Sequence, residues 1–138
     1  MVMPSNGANY FHLLRRQAVA RPRRPLIVFS PKQLLRLKAA ANSVEDFTQG
    51  TFEEVIGDRT VDPQKVKRVL VVSGRLYYDL IATRSKHDDE TTAIVRLEQL
   101  YPMPVEQLQE ELDRYPADAE FVYAQDEPEN QGRGLSWG

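Results

Sequence analysis

The 138-residue chain contains no cysteine, only two histidines and a single tryptophan. Without cysteine it can form no disulfide, no thiolate nucleophile and no cysteine-ligated zinc site. His12 lies among arginines and His87 in an acidic stretch, and neither has the spaced partners that a metal ion needs. No Ser–His–Asp set can be assembled either. We therefore predict no metal site and no catalytic residue within this chain.

Long apolar runs are also missing. The longest uncharged runs are far shorter than the roughly 20 apolar residues that a membrane-spanning helix needs. The first 20 residues lack the apolar core and small-residue cleavage site of a secretory signal. Neither glycine-rich nucleotide motif, G-x-G-x-x-G or G-x-x-x-x-G-K, occurs. We expect one soluble globular domain without a membrane partner.

Charge is unevenly distributed although the formal net charge is only −2. Residues 1–44 hold no acidic side chain, and the rest of the chain holds ten basic and twenty acidic residues. The eight basic residues of this segment are Arg15, Arg16, Arg21, Arg23, Arg24, Lys32, Arg36 and Lys38. Such a segment can dock on an acidic neighbour or bind nucleic acid. Aromatic residues do not alternate with the arginines, which favours docking, and we predict no nucleic-acid partner.

The first part of the chain predicts two helices and a strand. Apolar spacing from Asn9 to Val19 indicates a helix that Ser5 or Asn6 can cap. Leu26–Phe29 is a continuous apolar run, typical of a strand covered on both faces. Ser30 and Pro31 then predict the N-cap and first residue of a short helix with a leucine-rich side.

From residue 66 onward, apolar strands alternate with helices of about a dozen residues, which predicts crossovers and a parallel sheet covered on both faces. The fold class is therefore α/β. A helical turn at Val44–Phe47 and an edge strand at Phe52–Ile56 precede this part. The predicted order is strand Val66–Val72, helix Tyr77–Arg84, strand Thr92–Gln99, helix Pro104–Tyr115 and strand Ala119–Gln125.

Polar residues follow the predicted parallel strands, where open α/β sheets bind ligands. Ser73, Gln99 and the segment 125–127 should lie along one edge, joined by Ser30 if its strand runs the same way. The carboxylates of Asp126, Glu127 and Glu129 could serve acid–base chemistry, but we favour a structural role at the strand end. We interpret Glu127, Asn130 and Gln131 as structural or interface residues, with Gly132 completing the turn.

Five stretches, in this order, carry a family resemblance: Ala8–Gln17, Arg24–Arg36, Ser73–Tyr78, Ile94–Pro102 and Glu127–Gly132. Together they resemble the carboxyl-terminal domain of the thiamine-diphosphate component of 2-oxoglutarate dehydrogenase, including its actinobacterial decarboxylase form. The resemblance spans nearly the whole chain.

The resemblance implies a transketolase-type carboxyl-terminal domain, a three-layer α/β/α sandwich on a mostly parallel sheet. Residues 1–19 would be the tail of a preceding pyrimidine-binding domain, and 20–138 the transketolase-type domain, truncated at its end. The parent enzyme is a cytoplasmic bacterial homodimer of the citric acid cycle. It decarboxylates 2-oxoglutarate on thiamine diphosphate and magnesium, both bound outside this chain, and passes succinyl to a lipoyl-bearing succinyltransferase. This domain alone should be inactive, contributing dimer contact and regulation.

In actinobacterial relatives the domain binds acetyl-CoA, and the resemblance places an effector site for acetyl-CoA or a nucleotide at Ser30, Arg36 and Gln99. The sequence departs from the family where Thr51 and Glu54 replace a Lys/Ser pair. It departs again where the segment 105–107 lacks basic residues. A carboxylate there repels phosphates. A free-standing anion- or CoA-binding regulatory module is the alternative function.

Overall fold

The computed structural model describes residues 1–127. Four helices and four strands form in chain order, together with three short 3₁₀ turns at Lys32–Arg36, Lys38–Ala40 and Pro63–Lys65. The helices are α1 (Gly7–Val19), α2 (Val44–Thr48), α3 (Leu76–Lys86) and α4 (Val105–Leu112); the strands are β1 (Val55–Ile56), β2 (Arg68–Val72), β3 (Thr92–Leu97) and β4 (Glu120–Tyr123).

The strands form one sheet in the order β1-β3-β2-β4. β2 pairs in parallel with both β3 and β4, and Val71 lies opposite Val95 on one side and Tyr123 on the other. β1 pairs antiparallel with β3. The mostly parallel α/β sheet is confirmed, with the predicted edge strand reduced to two residues.

Helices cover both faces of this sheet because strand residues point alternately to either side. Val69 and Val95 belong to a buried apolar cluster that includes Leu108 of α4. On the opposite face, the Arg96 guanidinium lies 4.2 Å from the ring centroid of Tyr77 in α3. The arrangement is the three-layer sandwich that the resemblance implies.

Residues 1–19 pack against the rest of the described chain. The Asn6 side chain caps α1 by accepting a 2.8 Å hydrogen bond from the backbone N–H of Asn9, as predicted. Leu13, fully buried, joins Val2 and Phe52 in a second apolar cluster. The assignment of residues 1–19 to a preceding domain stays a prediction.

The predicted strand at Leu26–Phe29 is wrong. Val28 makes only an isolated bridge to Val2, while Ile27 and Phe29 are 54% and 42% exposed. Val2 also bridges Gln99, so the amino-terminal segment lies between this run and the residues that follow β3. The run is too short to bury both faces, and the prolines at positions 25 and 31 bracket it without donating hydrogen bonds.

The short helix after this run is a 3₁₀ turn, and Ser30 does not cap it. Pro31 is the residue that precedes the turn, and no side chain caps it. Leu35 and Leu37 are 77% and 37% exposed, so the predicted apolar side is not buried. By contrast, the predicted turn at 44–47 is confirmed as α2, which begins with a capping box between Ser43 and Asp46.

No helix within residues 1–127 is long and apolar enough to span a membrane.

Candidate functional site

The carboxyl ends of β2 and β4 open onto one cleft of about 560 Å³. Ser73 follows β2, and Gln125, Asp126 and Glu127 follow β4; all four line this cleft. The segment Pro31–Gln33 forms another part of its wall. As the topology predicts, the polar ends of β2 and β4 meet at one edge of the sheet. Gln99 and Ser30, which were predicted for the same edge, do not line this cleft.

The turn after β2 contacts both the end of β3 and the amino-terminal segment. The Ser73 hydroxyl donates a 2.8 Å hydrogen bond to the Leu97 carbonyl at the end of β3. Gly74 has a φ of +64°, and a Cβ at this position would meet the Met3 sulfur. Glycine is therefore required here both for backbone conformation and for close packing of the amino-terminal segment.

Two cationic side chains line the cleft, and they differ in their partners. Arg75 pairs with Asp79 at 2.9 Å and also donates to the Gln33 side chain. Lys32 is exposed and has no ion pair with any residue of the described range 1–127. The charge of Arg75 is therefore balanced locally, whereas that of Lys32 is not.

The three residues predicted as an effector site have different surroundings. Gln99 is buried; its side-chain oxygen accepts a 2.8 Å hydrogen bond from Arg16, and its amide donates to the Pro102 carbonyl at 2.9 Å. Ser30 and Arg36 are exposed, and in the described part of the chain no hydrogen bond joins either to Gln99. The structure does not bring the three into direct contact, and their role stays a prediction.

Arg16 is the residue at this site that sequence reasoning missed. It pairs with Glu54 at 3.1 Å, and its guanidinium lies 4.3 Å from the ring centroid of Phe52. Of the eight basic residues in the first segment, it alone makes an ion pair with the described residues. Docking on an acidic neighbour within the chain is confirmed for this one arginine. The sequence offered no signal for it beyond its charge.

A second feature missed from the sequence is Glu98, which is fully buried at the end of β3. Its Oε2 accepts hydrogen bonds from the Ser5 backbone N–H at 2.7 Å and the Asn9 amide at 3.1 Å. Its Oε1 has no partner within residues 1–127. Burial raises the pKa of Glu98 above its ordinary value, against the lowering effect of those bonds and of Arg96.

Asp58, which the sequence indicated only as a turn residue, forms a buried ion pair with Arg84. It also accepts hydrogen bonds from the Ile94 and Thr60 backbone N–H groups, each at 2.9 Å. Burial acts to raise the pKa of Asp58, but the bonds from Thr60, Ile94 and Arg84 outweigh it and hold the pKa below its usual value. Neither Asp58 nor Glu98 lines the cleft.

The predicted strand-end residues are only partly described. Glu127 lines the cleft, and its backbone carbonyl accepts a 3.0 Å hydrogen bond from the Gln125 amide. Glu129, Asn130, Gln131 and Gly132 lie outside the described residues.

Across positions 1–127, no group of three or more histidine, aspartate or glutamate side chains is placed to hold a metal ion.

Comparison with known proteins identifies a family that matches most of this chain. The family described as 2-oxoglutarate dehydrogenase C-terminal matches residues 41–136. The chain is 46% identical over 143 residues to the multifunctional 2-oxoglutarate metabolism enzyme of Mycobacterium sp. (strain KMS), covering 100% of the chain and 11% of the relative.

Two further relatives have similar identities. The 2-oxoglutarate dehydrogenase E1/E2 component of Corynebacterium glutamicum is 49% identical over 134 residues, covering 96% of the chain and 11% of the relative. The 2-oxoglutarate dehydrogenase E1 component of Cupriavidus necator is 48% identical over 130 residues, covering 94% and 14% respectively. The chain thus spans only a small fraction of the length of these relatives.

Proposed function

Because this chain belongs to the 2-oxoglutarate dehydrogenase C-terminal family, we propose that it is the carboxyl-terminal part of a thiamine-diphosphate-dependent 2-oxoglutarate dehydrogenase or decarboxylase. The parent would decarboxylate 2-oxoglutarate oxidatively and transfer succinyl to a lipoyl-bearing succinyltransferase. The observation that carries the proposal is an alignment over 94–100% of the chain with three bacterial relatives named for 2-oxoglutarate metabolism. Their bacterial origin supports a cytoplasmic location.

The described residues do not fit a magnesium–diphosphate group. They offer no cluster of three ligating side chains, and the Arg75 guanidinium at the cleft is already held by Asp79. A diphosphate-bound magnesium prefers oxygen ligands such as carboxylates, with several waters. We therefore place the cofactor in the upstream domains and assign no catalytic step to this chain.

The contribution we propose for this chain is contact with those upstream domains and with a homodimer partner. Ten large apolar side chains of the described range are at least 42% exposed, and the proposal is that these partners cover some of them. They are Phe11, Leu14, Val19, Ile27, Phe29, Leu35, Val44, Tyr101, Val105 and Phe121. The boundary that assigns residues 1–19 to a preceding domain and 20–138 to the transketolase-type domain belongs to the same proposal.

Reconstitution tests this proposal. The 138-residue chain alone should neither decarboxylate 2-oxoglutarate nor bind thiamine diphosphate in calorimetry. The upstream domains of a relative should gain activity when the chain is fused or added. Leu35→Asp should weaken that gain in activity, because it places a charge in the proposed contact with the upstream domains or the partner. Ala117→Asp, at an exposed position without a large apolar side chain, is the control and should not weaken it. Turnover by the chain alone would contradict the proposal.

We further propose that Arg36, with Ser30 and Gln99, contributes to a site for an anionic effector, acetyl-CoA or a nucleotide such as AMP. Arg36 lies on an exposed segment with Lys32 and Lys38, and within residues 1–127 none of the three has an ion pair. Uncompensated cations on one segment attract phosphates.

Titration of acetyl-CoA and AMP against the wild type and Arg36→Ala tests this site. One lost phosphate contact should weaken binding about tenfold. The control is Arg59→Ala, which removes an exposed arginine paired loosely with Glu53 at 3.8 Å. Equal affinities in Arg36→Ala and the wild type would remove the site. Binding by the chain without upstream domains would favour the alternative, a free-standing anion-binding module.

A further inference from the structure

The cleft at the carboxyl edge of the sheet has the size of a small-molecule site. Its volume of about 560 Å³ falls within the range of about 300–1,000 Å³ typical of ligand pockets. Apolar side chains supply much of its lining, among them Met3, Leu76, Leu100 and Tyr123. Such a surface favours an apolar body in the ligand.

Charges of both signs stand around this apolar lining. Lys32 contributes an ammonium group from the segment after Pro31, and Asp126 and Glu127 contribute carboxylates after β4. None of these three has an ion pair with another residue of the range 1–127. Arg75 adds no net charge, since Asp79 balances it.

We propose that this cleft binds a small zwitterion with an apolar body, of the amino-acid type. Its carboxylate would pair with Lys32 and its ammonium with Asp126 or Glu127, while the apolar part lies against Met3 and Leu100. A simple anion would meet the two carboxylates, and a simple cation would meet the lysine. Only a ligand that carries both charges can pair with the lysine and with a carboxylate at the same time.

The site goes beyond the proposed function, because none of its residues depends on upstream domains or on the oxidation of a 2-oxo acid. It also differs from the effector site proposed at Arg36 in the ligand it selects: a phosphate-bearing effector would face the carboxylates of Asp126 and Glu127 here.

Binding of matched ligands to the 138-residue chain tests the inference, with NMR amide shifts as the readout. Two zwitterions probe the spacing of the charges: phenylalanine, with adjacent charges, and 6-aminohexanoate, with separated ones. Each is compared with analogues that lack one charge, 3-phenylpropionate and phenethylamine for the first, hexanoate and hexylamine for the second. At least one zwitterion should bind about tenfold more tightly than both of its analogues.

Variants that remove one charge of the cleft test which side chain binds each charge of the ligand. Lys32→Gln should weaken the zwitterion about tenfold and leave the amine analogue unchanged. The double change Asp126→Asn with Glu127→Gln should weaken the zwitterion and spare the carboxylate analogue. These side chains are exposed, so the fold should be retained. Lys38→Gln, on the same segment but outside the cleft lining, is the matched control and should bind like the wild type.

Three outcomes would overturn the inference. The first is that neither zwitterion saturates up to about 10 mM, weaker than ordinary metabolite binding. The second is that neither zwitterion binds better than its single-charge analogues. The third is that Lys38→Gln loses as much affinity as Lys32→Gln. None of these results affects the reconstitution test of the proposed function.

Discussion

Asp58 and Glu98 are both buried acids, but only Asp58 has a cation within ion-pair distance. The Arg84 guanidinium compensates the charge of Asp58 and also donates to the Thr92 carbonyl at 3.0 Å, so that it links α3 to β3. Glu98 receives two N–H donors on one oxygen and none on the other within residues 1–127. Ionisation therefore has opposite consequences for stability at the two positions.

Asp58→Asn should lower the free energy of unfolding by about 3–5 kcal/mol at neutral pH, because it leaves the buried Arg84 charge uncompensated. The lowered pKa of Asp58 means that its stabilisation is present above the unfolded pKa near 4 and is lost as pH falls through the folded value. Urea unfolding across the acid range measures both effects.

The control for Asp58→Asn is Arg68→Ala, which breaks the exposed Arg68–Glu120 pair at 2.6 Å. That change should cost less than about 1 kcal/mol. A cost for Asp58→Asn no larger than this would contradict the assignment of a buried, stabilising pair.

Glu98→Gln should gain stability relative to the wild type as pH rises. The raised pKa of Glu98 means that the folded protein favours the protonated carboxyl group. This contribution to stability is fully present below the pKa of the unfolded chain, near 4.3, and is lost as pH rises through the pKa of the folded protein. Glutamine keeps a carbonyl oxygen to accept from Ser5 and Asn9 without a charge. Unfolding free energies measured from about pH 4 to 8 should show a widening difference.

Exposed Glu106→Gln serves as the control for Glu98→Gln, since it removes one carboxylate from the surface of α4. Parallel curves for Glu98→Gln and the wild type would show that Glu98 does not titrate in this range.

At the scale of elements, periodicity located the parallel sheet but misjudged the run at Leu26–Phe29. The strands β2, β3 and β4 are apolar runs joined by the helices α3 and α4, and that alternation predicts their parallel pairing. Leu26–Phe29 has the same composition but no helix that returns it to the sheet, and Val2 pairs with its centre instead. A local pattern cannot reveal that the partner of this run is an isolated residue elsewhere in the amino-terminal part of the chain.

Gly74→Ala tests the turn that joins β2 to α3. Alanine at a φ of +64° costs about 1–2 kcal/mol from the backbone alone, and its Cβ must also displace the Met3 sulfur. Gly50→Ala is the matched control, because its φ is +83° but nothing lies within 4 Å of the added Cβ. Urea unfolding should show a larger loss for Gly74→Ala; equal losses would mean that the contact with Met3 is unimportant.

At the scale of the whole molecule, the amino-terminal segment and the sheet share one packed structure. Leu13 is fully buried with Val2 and Phe52, and Asn9 exchanges hydrogen bonds with the Glu53 backbone at 2.9 and 3.0 Å. Unfolding of α1 alone would expose this cluster and remove the hydrogen bond that the Asn9 amide donates to Glu98.

Leu13→Ala should therefore destabilise the entire described structure, by about 2–5 kcal/mol, because it opens a cavity in that cluster. Circular dichroism in urea gives the loss, and hydrogen exchange at β3 amides shows whether the sheet shares it. Leu14→Ala, at a side chain 49% exposed, should stay within about 0.5 kcal/mol of the wild type. Unchanged protection of β3 in Leu13→Ala would show that α1 unfolds independently.

The sequence predicted the location of the candidate site better than the hydrogen bonds and buried charges around it. Ser73, Gln125 and Glu127 meet at one cleft because parallel strands end on the same edge. The bond from Arg16 to Gln99 joins residues that are 83 positions apart, and no local pattern records it. Buried Glu98 was equally hidden, since a single acid after a strand resembles an ordinary solvent-exposed residue.

The pairing of the segment before α1 with the residue that follows β3 has a consequence for the order of folding. The Ser5 backbone N–H donates a 2.7 Å hydrogen bond to the Glu98 carboxylate, 93 positions away along the chain. Contacts between residues so far apart in sequence form slowly, because a long loop must close first. We therefore expect the parallel sheet to nucleate before α1 docks against it.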